Sequence, residues 1–230
     1  MESRTRRATI ADIADRMMGV GAIDTASKSG HGGDYLDTSV KLRLGARMHR
    51  THERRRASVF IGPAGIGKTT AADAFRRENP ETVAYIQITK RGVTGPQALQ
   101  QLLLALRSLR GEATKYVTNA TMEVQRYIDI EIERLGAGLP RSADPNLFPR
   151  ITVIFDEAQR LTNGAIDALR DYNEPHYFCR GTFPIGLIFI GNERTPLEVR
   201  NDDTTLFDEG MADRLLYRDR LTYDDVERAD

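Results

Sequence analysis

The sequence predicts an α/β fold with a central, mainly parallel, five-stranded sheet flanked by helices. Two observations carry this expectation. Short apolar runs rich in β-branched residues recur along the chain, separated by stretches with helical spacing, which is the pattern of repeated strand–helix units. The first of these runs ends in a glycine-rich turn that leads directly into a helical stretch, as parallel sheets require at a ligand-bearing strand end. The length of 230 residues and 40% hydrophobic content supply one sizeable core.

The elements follow in order. In residues 9–18, Ile10, Ile13, Ala14, Met17 and Met18 recur at helical spacing. Residues 25–34 are polar and glycine-rich and read as a linker. Val40, Leu42, Leu44, Ala46 and Met48 fall in a second helix, although their spacing is mixed. Residues 57–61 are a short apolar run ending at glycine, as a strand buried on both faces should be. Residues 83–88, 151–155 and 186–190 repeat that signal, and 215–221 form a shorter fifth strand. Helices are expected at 68–78, 96–109, 121–135 and 163–172, the second with proline in its first turn, where it is tolerated. Residues 140–149 and 175–184 read as irregular connections.

Composition removes several classes. Lys+Arg and Asp+Glu number 33 each, which excludes an acidic or basic tail protein, and the apolar fraction excludes a disordered chain. The one cysteine, Cys179, excludes a disulfide scaffold and a four-cysteine zinc site, fits a reducing cytoplasm, and has no identifiable base. No apolar run approaches the roughly 18–20 residues that span a bilayer, and the N-terminal stretch lacks the apolar centre of a secretory signal. A cytoplasmic protein without membrane contact is therefore expected. The zero net charge hides an asymmetry: residues 1–56 hold 12 basic and 7 acidic side chains, residues 198–230 hold 5 and 11. Residues 41–56 carry seven basic side chains against Glu53 alone. They read either as a solvated helix face or as a contact for an acidic partner, nucleic acid or the acidic C-terminus of a neighbouring subunit.

The strongest motif is Gly62-Pro63-Ala64-Gly65-Ile66-Gly67-Lys68-Thr69, which fits the phosphate-binding pattern G-x-x-x-x-G-K-[ST] at every fixed position. The glycines let consecutive N–H groups point at phosphate oxygens, and the following helix adds its positive end. Together with Thr70, these residues are expected to hold ATP. Lys68 should meet the β- and γ-phosphates, and Thr69 should ligate Mg2+. The apolar run at 151–155 then delivers Asp156 and Glu157 to a strand end. Asp156 is expected in the Mg2+ shell, and Glu157 as the residue that orients or deprotonates the attacking water. The fourth run ends at Asn192, placed for the attacking water or the γ-phosphate. Read alone, Asp156-Glu157 would suit a helix N-cap pair and Asn192 an ordinary turn. Tyr85, Tyr116 and Tyr127 read as packing residues. His49 and His52 have ligand-like spacing but no third ligand.

These residues resemble an AAA+ ATPase. The segments DEAQRL at 156–161, ALRD at 168–171 and LIFIGN at 187–192 resemble more narrowly the transposition ATPases of the phage Mu B, TniB and TnsC type. Secretion ATPases of the ExeA type share much of the pattern. The resemblance spans residues 57–221. It implies a P-loop NTPase core at 57–221 after an N-terminal helical or flexible basic segment at 1–56. Residues 222–230 would be an acidic remnant of a nearly absent lid. It implies ATP between subunits of a homo-oligomer or filament, with Arg214 from a neighbour touching the γ-phosphate and Arg218 or Arg220 as alternatives. It also implies duplex DNA and a transposase as partners. Thr89-Lys90-Arg91-Gly92-Val93-Thr94 follows the second strand, in a region that tends to face the central channel of filament-forming relatives. Lys90, Arg91 and Thr94 are the candidate DNA contacts. The competing readings are an interaction module without DNA function and a replication-linked loader. A helicase, which DEAQ also resembles, would need a second nucleotide-binding lobe that this length does not hold.

Overall fold

The computed structural model describes residues 38–112, 121–135, 149–174, 184–192 and 215–225. The expected helix at 9–18, the stretch at 25–34, Tyr116, Cys179 and Arg214 lie outside the described residues. Helices α1 (Ser39–Arg54), α2 (Lys68–Glu78), α3 (Gly95–Leu109), α4 (Thr121–Leu135) and α5 (Asn163–Arg170) surround five strands. These are β1 (Ala57–Ile61), β2 (Val83–Gln87), β3 (Ile151–Asp156), β4 (Ile185–Gly191) and β5 (Leu215–Arg220). The strand order is β2-β3-β4-β1-β5, and every pairing is parallel.

Parallel strands need cover on both faces, which is why β1, β3 and β4 are buried throughout and, apart from Ser58, Thr152 and Asp156, apolar. Alternate residues divide between two cores. Val59, Phe155, Leu187 and Phe189 join Leu102, Ile128 and Ile166 of α3, α4 and α5. Phe60, Ile154, Ile188 and Ile190 join Val40, Leu44, Met48 and Phe75 of α1 and α2. The result is a three-layer sandwich, α/β/α.

Helix α1 lies before residue 57 yet packs into this core. Thr38 caps it by accepting the Lys41 N–H at 3.2 Å. Its mixed apolar spacing resolves into Val40, Leu44 and Met48, each four apart and fully buried, while Leu42 is 54% exposed. Its basic outer face meets β5 and the turn after it. Arg43 pairs with Asp225 at 2.7 Å, Arg47 pairs with Asp219 and lies 5.2 Å over the Tyr217 ring, and the Ser39 hydroxyl donates to the Asp225 carbonyl. Part of the acidic partner expected for residues 41–56 is therefore the chain's own β5 and the turn after it.

His52 sits at the seam of α1 and the sheet. Its Nδ1 is 2.9 Å from Thr152 Oγ1, and the Phe75 ring meets it edge-on at 5.9 Å. Burial pushes its pKa down to about 4, and the positive fields of Arg150, His49 and Arg55 add to this. His49 instead meets Glu78 at 3.2 Å, so the two histidines differ in hydrogen-bond partner, although both rings meet Phe75 edge-on. Among the described residues no group of three His, Cys, Asp or Glu side chains is placed to hold a metal ion.

Several element ends differ from expectation by a residue or two: β2 stops at Gln87, β4 runs from Ile185 to Gly191, β5 stops at Arg220 and α3 starts at Gly95. Strand β3 continues through Asp156. The helix expected to reach 172 stops at Arg170 and tightens into a 3-10 turn, Asp171–Asn173. The Asn173 amide donates there to the carbonyls of Arg55 at 2.8 Å and Ile185 at 2.6 Å, so this side chain bonds across the fold beyond the helix end. No helix among the described residues is long and apolar enough to cross a membrane.

Candidate functional site

Because all strands are parallel, the chain leaves every one of them at the same edge of the sheet. Gly62 follows β1. A Cβ there would lie 2.8 Å from the Leu221 carbonyl oxygen and 2.8 Å from Ile66 Cδ1, so no larger residue fits. Gly67, with φ 94°, caps α2 in a left-handed conformation open to glycine without strain. Between them the loop curls over Lys68, which is 6% exposed. Its Nζ donates to the carbonyls of Gly62 at 2.8 Å and Pro63 at 2.7 Å, and lies 3.5 Å from Asn192 Oδ1.

Thr69 Oγ1 donates to Asp156 Oδ2 at 2.7 Å. The Tyr85 hydroxyl donates to the same oxygen at 2.6 Å, and the Glu157 N–H to Oδ1 at 2.8 Å. Three donors thus fix the plane of a carboxylate that is 3% exposed. Burial raises the pKa of the Tyr85 phenol, and the Asp156 charge raises it further, so the hydroxyl remains a donor. Register explains the meeting. Gln87 lies opposite Asp156 and Tyr85 opposite Ile154, so Tyr85 and Asp156 project from the same face of the sheet.

Glu157 has φ 57°, a left-handed backbone shared among the described non-glycine residues only with Arg55. Such a conformation costs on the order of 1–2 kcal/mol. Its Oε2 accepts from Gln159 Nε2 at 2.7 Å and pairs with Arg160 at 3.3 Å. Gln159 also accepts the Asn192 N–H at 3.3 Å. The Arg160 guanidinium reaches the carbonyls of Ile88 at 3.0 Å and Thr89 at 2.7 Å.

Lys68, Thr69, Asp156, Glu157 and Asn192 therefore form one linked group. Lys90, Arg91 and Thr94 are exposed beyond β2, at the same edge but three strand spacings from β1, about 14 Å. Thr94 also opens α3, its N–H donating to Gln97 Oε1 at 3.0 Å. Arg214 lies outside the described residues. Tyr85, Gln159 and Arg160 are the members of this network that sequence reasoning missed as site residues. Pairing β2 with β3 on paper would have placed Tyr85 beside Asp156. Gln159 and Arg160 stand in the DEAQRL segment, but nothing in that segment announces their bonds to Glu157.

The family model described as AAA domain matches residues 50–196. Among solved structures, Cdc6p from Pyrobaculum aerophilum is 13% identical with a TM-score of 0.53, covering 86% of this chain and 49% of its own. The Drosophila ORC structure, bound to DNA, is 11% identical with a TM-score of 0.51, covering 80% of this chain and 29% of its own. This chain thus spans half or less of the length of these two proteins, and the likeness is one of fold. No curated protein matches it significantly.

Proposed function

The chain belongs to the AAA domain family, and we propose that within it this protein is an ATP-dependent, DNA-binding ATPase that acts in DNA transposition as a target-selection or transposase-activating factor. The observation that carries the ATPase reading is the bond from Thr69 to Asp156 at 2.7 Å. It joins the phosphate-binding loop to the strand-end carboxylate, and the hard oxygen donors at this point suit Mg2+. The N–H groups of Ala64, Gly65, Ile66, Gly67 and Thr70 would cradle the phosphates, while Gly62, whose N–H donates to the Gly191 carbonyl, and Pro63, which has no N–H, shape the turn. Lys68 turns from its loop carbonyls to the phosphate charge. Thr69 and Asp156 would hold Mg2+, which when bound neutralises charge on the phosphates. Glu157 orients the attacking water and takes its proton, while Asn192 senses the γ-phosphate through Lys68 and Gln159. Arg214 is assigned to a neighbouring subunit's nucleotide, stabilising the spreading phosphate charge in a homo-oligomer.

DNA enters through Lys90 and Arg91. A chain of zero net charge is a poor monomeric DNA ligand, but an ATP-built oligomer aligns one such loop per subunit along the phosphates. The DNA in the Drosophila ORC structure is in keeping with this reading. The transposase partner rests on the DEAQRL, ALRD and LIFIGN resemblance. A replication-linked loader is the competing reading, which a helicase recovered by pull-down would support. The decisive experiment is fluorescence anisotropy on duplex DNA with and without ATP at several salt concentrations. Binding should require ATP and fall steeply with salt. The double variant Lys90→Ala/Arg91→Ala should bind all sequences equally weakly with a flatter salt slope. No binding at low salt by ATP-loaded oligomers would leave the interaction-module reading.

A further inference from the structure

The Asp156 carboxylate has most of its acceptor capacity already taken. A carboxylate offers about four lone-pair positions, shared between its two oxygens. Thr69 Oγ1 at 2.7 Å and Tyr85 Oη at 2.6 Å both donate to Oδ2, and the Glu157 N–H donates to Oδ1 at 2.8 Å. The two hydroxyls are held differently. Thr69 is exposed in the first turn of α2, so its own oxygen stays open to a ligand while its proton rests on Asp156. Tyr85 is half-buried, and its ring packs against the core that α1 and α2 share with the sheet. Its hydroxyl stands at the end of a rigid ring that strand register sets on the same face as Asp156. Rotation about the ring axis leaves that oxygen in place, so the phenol cannot turn away from Oδ2 without moving the packed ring.

We propose that Tyr85 is a positioning residue that biases the cation site toward Mg2+ and against Ca2+, by keeping Oδ2 of Asp156 occupied. This deepens the reading in which Thr69 and Asp156 hold Mg2+, and it rests on that reading. The two cations ask different things of a carboxylate. Ca2+ takes about six to eight oxygens and readily draws on both oxygens of one carboxylate, whereas Mg2+ is smaller, demands near-ideal octahedral geometry and keeps several of its waters. With two hydroxyls on Oδ2, that oxygen cannot join Oδ1 around one ion. The position left on Oδ1 serves a cation that keeps its waters and serves poorly one that needs many protein oxygens. Among the described residues no group of three His, Cys, Asp or Glu side chains is placed to make up the number. Without the phenol hydroxyl, Oδ2 regains a lone-pair position and the carboxylate can turn both oxygens to an ion.

The test is Mn2+ binding to the ADP-saturated protein, read as free Mn2+ by electron paramagnetic resonance with the share held by free ADP subtracted. Mg2+ and Ca2+ then displace the Mn2+ in separate titrations. Tyr85→Phe removes the hydroxyl and keeps the ring. It should shift the ratio of Ca2+ to Mg2+ affinity about tenfold toward Ca2+, at the low end of what changes behind a metal ligand produce. ADP affinity in EDTA should stay at the wild-type value, because the phosphates meet the glycine-rich loop and not Tyr85. An unchanged ratio, or one shifted toward Mg2+, would overturn the proposal. So would loss of ADP binding in EDTA, which would make the hydroxyl a prop of the loop instead of a guard on the carboxylate. Absence of Mn2+ binding to the wild type would sink the parent reading and the proposal with it, whereas an unchanged ratio leaves the parent reading standing.

Discussion

Acid should loosen the seam between α1 and the sheet, and His52 sets how much. Its pKa is about 4 in the fold against an ordinary 6.5. Between those values the unfolded chain binds a proton that the folded chain refuses. Stability from this group is therefore complete above pH 6.5 and is lost as pH falls toward 4. At ~1.4 kcal/mol per unit of pKa the full difference would be about 3 kcal/mol, and relaxation plus water at the seam reduce the expected loss to about 2 kcal/mol. Carboxylates titrate in the lower part of this window, so the measurement must be differential. His52→Gln keeps an amide donor for Thr152 and cannot take a proton. Urea unfolding of both proteins at pH 7.5, 6.5, 5.5 and 4.5 isolates the histidine. The variant should be the less stable protein at pH 7.5 and should gain about 2 kcal/mol on the wild type by pH 4.5. A stability gap independent of pH, or one that widens in acid, would refute the account.

Three further outcomes are expected. Lys68→Ala should abolish nucleotide binding and Glu157→Gln should retain it while slowing hydrolysis; a wild-type rate in Glu157→Gln would remove the role given to that residue. Arg214→Ala should bind ATP but turn it over slowly, since arginine fingers supply on the order of 10³–10⁵ in rate elsewhere; mixing it with Lys68→Ala should recover part of the activity if the finger acts between subunits, and co-assembly without recovery would count against that. Tyr85→Phe keeps the ring but removes the 2.6 Å bond to Asp156, so it should lower the urea-unfolding free energy by about 1.5 kcal/mol, and an unchanged value would show the bond to be idle.

How much was legible depended on the range of the interaction. The central strands β1, β3 and β4 were readable because burial on both faces demands a nearly unbroken apolar run, β2 and β5 by shorter apolar runs that are only partly buried, and the glycine-rich loop because its backbone tolerates few residue types. The partners of these elements were not. Leu42 looks like Leu44 in sequence, yet only the i, i+4 row of Val40, Leu44 and Met48 faces the sheet. Tyr85 looks like a packing residue until strand register sets it beside Asp156. Gln159 and Arg160 take their positions from the left-handed turn at Glu157, which a glutamate does not announce. The basic stretch at 41–56 had a visible charge and the acidic C-terminal segment was a visible candidate partner, but only the fold shows that Arg43 and Arg47 meet Asp225 and Asp219 of their own chain.

That last feature has a consequence for the making of the protein. Arg43 and Asp225 are 182 residues apart in sequence. At about 5–20 residues per second, a ribosome completes the C-terminal turn roughly 10–35 s after it has released α1. During that interval a cationic helix is exposed in the cell with its intramolecular anions not yet synthesised. A product that stops short of Asp219 therefore lacks the carboxylates that pair with Arg43 and Arg47.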